Sequence, residues 1–198
     1  MTATIFLIRH AAHGHLGHTL SGRLPGIALS EAGLTQARTL SATLAPLRFA
    51  AIHTSPVQRA VETARAIAAG RGLSPVVVDA LDEIDFGQWT GRGFAELDEE
   101  PGWSAWNQAR GSARAADGET MADAQTRIVA HIEAAARLFP EQAIAIVSHC
   151  DLLRAAIAHY LSLPLDHMLR FDVDPASVSR LEVGDGGGRV LSINTVVS

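Results

Sequence analysis

A chain of 198 residues, 47% hydrophobic and 19% charged, carries enough apolar material for one packed core, which excludes a disordered interaction protein. Its formal net charge of -5 at pH 7 gives no electrostatic case for nucleic acid or an anionic membrane, and one cysteine, Cys150, can form neither an internal disulfide nor a cysteine-based zinc site. No lysine occurs and all 16 basic residues are arginine, so Schiff-base and P-loop chemistry are excluded and any bound anion must be held by arginine, histidine or backbone N–H groups.

The β-branched run Thr4 to Ile8 predicts a buried strand without alternation. Arg9 interrupts it far short of the roughly 20 residues of a membrane span, and no signal-peptide pattern is present, so the chain reads as cytoplasmic. Residues 11–29 form a loop rich in Gly, His and Ser. Ser30 caps a helix with Leu34, Ala37, Leu40 and Leu44 on one face, ending before Pro46. Ala50 to Thr54 is a second buried strand. Ser55 and Pro56, as N-cap and first helical residue, open a helix that is apolar along Val57, Ala60, Val61, Ala64 and Ile67 and closes at Gly70 and Gly72.

Val76 to Val78 predicts a third strand, and the acidic stretch 79–93 a loop. Residues 94–118 are the least regular, with Trp103 and Trp106 forming either a lid over a site or an apolar cap on the sheet edge. Thr120 and Asp123 pair to cap a long helix with Met121, Ala124, Ile128, Ile132, Ala135 and Phe139 inward. Ala143 to Val147 is a fourth buried strand, and Asp151 caps the next helix. Strands over residues 169–173 and 177–183, a Gly-rich turn at 184–188 and a strand at 189–194 complete the chain as a hairpin.

This alternation predicts an α/β fold: a three-layer α/β/α sandwich around a mostly parallel sheet of about six strands with one antiparallel edge. Residues 1–198 form one domain, with 94–118 as a cap or lid insertion. In such sheets the binding crevice lies beyond the carboxyl ends of the strands. The first strand runs into Arg9-His10 and the second into Thr54-Ser55, with Arg59 one turn into the following helix. The third is followed by Asp82, Glu83 and Asp85, and the fourth runs into Ser148-His149. Two arginines and a protonatable histidine can surround a phosphoryl group, while a second histidine attacks phosphorus through a neutral ring nitrogen. A carboxylic acid can protonate the leaving alkoxide and recover the proton from water. Guanidinium groups balance the charge, so this chemistry asks for no metal and no cofactor. His10, His13, His15 and His18 invite a metal reading, but their glycine-rich loop has no fixed geometry and no carboxylate; loop histidines at a substrate entrance are the preferred reading.

The same residues carry a resemblance. Leu7-Ile8-Arg9-His10 is similar to the Arg-His-Gly signature of the histidine phosphatase (phosphoglycerate-mutase-like) superfamily, and Ser55-Pro56-Val57-Gln58-Arg59-Ala60 to its second motif. Leu81-Asp82-Glu83-Ile84-Asp85-Phe86-Gly87 resembles its acid loop, and Ser148-His149 with Leu153-Arg154-Ala155 its last motif. The motifs occur in the family's order across nearly the whole chain. The resemblance implies His10 as the phosphorylated nucleophile, Arg9, Arg59 and His149 as the phosphate pocket, Glu83 as the proton donor and Arg23 as a loop arginine reaching the substrate. The loop after the nucleophile departs from the family: Ala11 stands for the usual glycine, Ala12-His13 for Glu-Thr, and Leu16-Gly17 where an asparagine is usual. Asp151, if it faces the pocket, disfavours bisphosphates and favours substrates offering hydroxyl or amine donors.

The expected function is therefore a metal-independent phosphatase acting on a small phosphorylated metabolite through phospho-His10, with no nucleic-acid or membrane partner and a homodimer left open. The rival readings are phosphoglycerate-mutase-type transfer, a metallohydrolase on the His-rich loop, and a non-catalytic phosphate-ligand-binding protein. Mutases of this family typically carry an insertion after the acid loop that this chain lacks.

Overall fold

The structure, a computed structural model, describes residues 1–196. Its elements are β1 (Thr2–Arg9), α1 (Glu31–Leu44), β2 (Ala51–Thr54), α2 (Gln58–Ala68), β3 (Val76–Val77), α3 (Phe94–Leu97), α4 (Pro101–Gln108), α5 (Met121–Leu138), β4 (Ala143–Ser148), α6 (Cys150–Tyr160), β5 (Val178–Gly184) and β6 (Gly187–Thr195). The six strands form one sheet in the order β3-β2-β4-β1-β5-β6. β3, β2, β4 and β1 run parallel, and β5 and β6 add antiparallel pairings beside β1. The fold class expected from the alternation of elements is the one observed.

Side-chain period explains why β1 and β4 read as unbroken apolar runs. Successive side chains point to opposite faces of a strand. Ile5, Leu7, Ile144 and Ile146 join the core beneath α5 and α6. Phe6, Ile8, Ala145 and Val147 join a second core beneath α1 and α2. A parallel sheet covered on both faces favours apolar side chains on both, with His53 of β2, hydrogen-bonded to His131, as an exception. Among the described residues no helix is long and apolar enough to cross a membrane.

The caps of α1 and α5 match their expected residues. Ser30 Oγ accepts from Gly33 N at 3.1 Å, and Thr120 and Asp123 form a reciprocal capping box. Gly33 is needed for a different reason: a Cβ there would stand 1.9 Å from the Ala12 carbonyl oxygen, so α1 docks directly on the backbone following His10. Gln36 Oε1 accepts from Ala12 N and Thr63 Oγ1 from Ala11 N, so α1 and α2 both grip this segment.

Three local expectations are corrected. The strand expected at 169–173 is instead the end of a 3-10 turn over Leu165–Arg170 followed by irregular chain. The carbonyls there are taken by side chains rather than a neighbouring strand: Phe171 O accepts from Arg154, and Val173 O from Arg9. Helix α2 starts at Gln58 with Val57 at the N-cap, and Ser55 Oγ, two residues earlier, accepts from both Val57 N and His149 Nε2. The N-cap of α6 is His149, and the Asp151 carboxylate turns to Arg110 and Arg154 instead of capping. Residues 94–118, read as irregular, contain the two short helices α3 and α4, with Trp103 and Trp106 both buried. Trp106 lies edge-on to Phe86 and Trp89, which fastens α4 to the acid loop.

Candidate active site

Strand register assembles the site. Arg9 pairs with Ser148, and His10 N donates to Ser148 O at 2.9 Å; on the other side of β4, Ser55 N donates to Val147 O at 3.0 Å. The residues that follow β1, β2 and β4 therefore share one edge, and the His10 and His149 rings lie 5.1 Å apart. Arg59, 1% exposed, reaches in from α2.

Hydrogen bonds set the protonation of both rings. A carbonyl can only accept, so His10 Nδ1 carries its proton toward Ala11 O at 2.8 Å. A guanidinium can only donate, so His10 Nε2 presents its lone pair to Arg59 Nε at 3.2 Å. The same logic makes His149 Nδ1 the acceptor from Arg59 Nη2 at 3.1 Å, leaving Nε2–H to donate to Ser55 Oγ at 2.8 Å. Burial first, then the Arg59 charge, holds both histidines well below the ordinary histidine value, so both are neutral near pH 7.

Glu83 arrives from the loop after β3. Its Oε2 lies 3.5 Å from His149 Nδ1 and 3.7 Å from Arg59 Nη2. Burial pushes its carboxyl up to about 7, outweighing the opposing pull of Arg59, so a protonated Glu83 is available near neutral pH. The loop is stiffly held. Arg127 Nη1 donates to Ala80 O and Asp82 O, its Nη2 to Glu83 O, and Ser148 Oγ donates to Leu81 O. Gly87, at φ +50°, sits where a Cβ would meet Ala116 O at 1.9 Å, which closes the loop against the 94–118 segment.

Arg23 lies outside this cluster. Its Nε donates to the Glu83 backbone carbonyl at 2.7 Å, and its guanidinium pairs with Asp82, Asp85 and Glu119. The acidic residues round the loop draw it there; Ser21 and Gly22 beside it line the cavity, while its own side chain, like that of His149, does not. That cavity, of about 250 Å³, is bordered by Arg9, His10, Arg59 and Glu83, by Phe94, Trp103 and Arg110 of the 94–118 segment, and by Asp151. His13 also borders it, close against His10, and burial lowers its pKa to about 4. Cys150 packs with Sγ toward Val173 O, and burial raises its thiol to about 11, which makes it a poor nucleophile. Among the described residues no group of three or more His, Cys, Asp or Glu side chains is arranged to hold a metal ion.

Three guanidinium nitrogens of the cavity-lining arginines are buried without a protein partner, Arg9 Nε, Arg59 Nη1 and Arg110 Nε. Buried polar groups are rarely left so. Sequence reading missed Arg110 and Ser55 as site residues. Arg110 sits in the stretch with least periodicity, and Ser55 had a sufficient explanation as a cap; neither carries a local signal for the cavity.

Neutral histidines facing each other among buried arginines, at the carboxyl edge of a mixed α/β sheet, define a phosphoryl-handling site. The chain belongs to the histidine phosphatase superfamily (branch 1), whose family model matches residues 5–196. It is 28% identical over 195 residues to phosphoserine phosphatase 1 of Hydrogenobacter thermophilus, covering 96% of this chain and 91% of that one. It is 27% identical to the adenosylcobalamin/α-ribazole phosphatase of Salmonella typhimurium, covering 96% of each chain. The crystal structure of the α-ribazole phosphatase from Shigella flexneri superposes with a TM-score of 0.87 at 27% identity, over 98% of this chain and 97% of that one.

Proposed function

We propose that this protein is a phosphatase hydrolysing a small phosphomonoester through a phosphohistidine on His10. The observation that carries the reading is the His10 Nε2 lone pair, held beside buried guanidinium N–H groups that lack a protein partner. In the first step Nε2 attacks phosphorus, the P–O ester bond breaks, and Glu83 gives its proton to the departing alkoxide. In the second, Glu83, now a carboxylate, takes a proton from water; the resulting hydroxide attacks phosphorus, the P–N bond breaks, and phosphate leaves. Arg9 and Arg59 donate N–H groups to the phosphoryl oxygens and follow the charge as it moves onto them, and His149 joins them once its Nδ1, an acceptor in the free protein, takes up a proton as the phosphate dianion enters. Arg23 acts through the acid loop rather than on the phosphate.

The phosphoserine and adenosylcobalamin/α-ribazole phosphatase activities of the relatives support a small phosphorylated metabolite as substrate, and the cavity size agrees. Rapid quenching with p-nitrophenyl phosphate, followed by mass spectrometry under non-acidic conditions, tests the intermediate. A phosphate adduct on a peptide containing His10, absent from His10→Ala, is expected; phosphate release without any adduct refutes the mechanism.

A further inference from the structure

One pair on the cavity wall has no part in that cycle. Arg110, 5% exposed, donates from Nη1 to Asp151 Oδ2 at 2.5 Å and from Nη2 to Asn107 Oδ1 at 2.7 Å, and its guanidinium lies 5.3 Å over the Trp106 ring. Its Nε is buried with no partner. Asp151 Oδ1 receives only a long contact from Arg154, at 3.5 Å, so the carboxylate keeps accepting capacity. Burial pushes the Asp151 carboxyl up, but Arg110, Arg154 and Arg9 outweigh it and hold its pKa below the ordinary carboxylate value, so it stays ionised.

Charge decides what such a wall can accept. With Glu83 in its acid form, three lining guanidiniums (Arg9, Arg59, Arg110) face one ionised carboxylate, leaving two net positive charges. A bound phosphomonoester, with a charge of about -2, matches them. Because Asp151 already cancels Arg110, no surplus cation remains for a second anionic group on the substrate.

We infer that the Arg110–Asp151 pair is the leaving-group subsite, selecting phosphate esters whose alcohol part has no net charge and offers a hydrogen-bond donor to Asp151. A hydroxylated neutral alcohol and an amino-acid zwitterion both satisfy this description, whereas phosphoglycerates and bisphosphates do not. The inference rests on the phosphatase reading and names the substrate class for the same site.

The test compares kcat/KM on O-phosphoserine, glycerol 3-phosphate, 3-phosphoglycerate and 2,3-bisphosphoglycerate, with p-nitrophenyl phosphate as a reference that engages neither partner. Wild type should favour the better of the first two over both anionic esters by about tenfold or more. Which of the two leads identifies the zwitterionic or the neutral source. Asp151→Asn, which leaves the Arg110 charge uncovered, should narrow that preference by about tenfold, while Asp151→Glu should keep it. Equal or better turnover of the anionic esters by wild type overturns the inference, as does an unchanged preference in Asp151→Asn. If Asp151→Asn does not fold, the wild-type ranking decides. Failure to turn over p-nitrophenyl phosphate at all would overturn the phosphatase reading itself.

Discussion

The Arg59 guanidinium and the His10 imidazole meet Nε to Nε2 at 3.2 Å, so a permanently protonated donor keeps the attacking nitrogen unprotonated. Ala11 O fixes the other nitrogen. The nitrogen proposed to attack phosphorus is thus oriented, neutral and beside positive charge before substrate arrives.

Replacing His10 by alanine removes the attacking atom while leaving the sheet edge in place. Turnover should fall by about a thousandfold or more, since nothing else nearby is a competent nucleophile. Steady-state phosphate release, with circular dichroism to verify the fold, measures this.

Glu83 should matter in proportion to the basicity of the leaving group. For Glu83→Gln, hydrolysis of an alkyl phosphate should drop by about 10²–10⁴-fold, and of p-nitrophenyl phosphate much less, because nitrophenolate needs little protonation. Only the acid form donates, so wild-type kcat on an alkyl phosphate should decline as pH rises through about 7, and the variant should lose that decline. Equal loss on both esters would remove Glu83 from the acid role.

Unpartnered buried N–H groups on Arg9 and Arg59 imply that inorganic phosphate binds the folded protein and stabilises it. At one hundred times its Kd the gain is about 2.7 kcal/mol, readable as a rise in Tm. Arg59→Met should abolish the phosphate-dependent rise; persistence of the rise would place phosphate elsewhere.

A second histidine pair, away from the cavity, should make the fold acid-labile. His53 Nδ1 and His131 Nε2 lie 3.0 Å apart between β2 and α5, a bond that needs one ring nitrogen unprotonated. Burial lowers both pKa values, that of His131 to about 4. A histidine depressed in the folded state contributes stability that is present above its unfolded value of 6.5 and lost as pH falls toward about 4. Partial solvent exposure trims the effect to the order of 1–2 kcal/mol. Urea midpoints between pH 7 and 4 should fall, and His131→Gln should flatten that fall.

Trp106 is fully buried among Phe86 and Trp89, so Trp106→Ala should cost about 3–5 kcal/mol. The denaturant midpoint should drop, and the acid loop that packs on it should loosen enough to lower kcat on alkyl esters.

The sheet and the positions of Arg9, His10, Glu83 and His149 were legible because they obey local rules. Apolar runs bounded by turns mark parallel strands, and the residues following them fall at the carboxyl edge whatever the helices contribute. Arg59 was legible for a similar reason, in the first turn of a helix that starts beside that edge. Reading failed where backbone groups are satisfied by distant side chains. The carbonyls of Phe171 and Val173 bind arginines more than 15 residues away, so an extended-looking segment forms no strand. Asp151 obeys a capping preference in sequence, yet Arg110 claims its side chain in space, and Ser55 Oγ, which does bind Val57 N at the start of α2, also accepts from His149.

Sequence alone determined the sandwich, the family and the meeting of Arg9, His10, Arg59 and His149 at one edge of the sheet, since periodicity and motif order are properties of neighbouring positions. Tertiary structure alone decided the tautomers of His10 and His149, the elevation of Glu83, the diversion of Arg23 to the acid loop and the union of Arg110 with Asp151. Each of these depends on which charges and dipoles meet inside a volume from which water is excluded. Proximity and burial of that kind arise only when segments far apart in the chain are packed together.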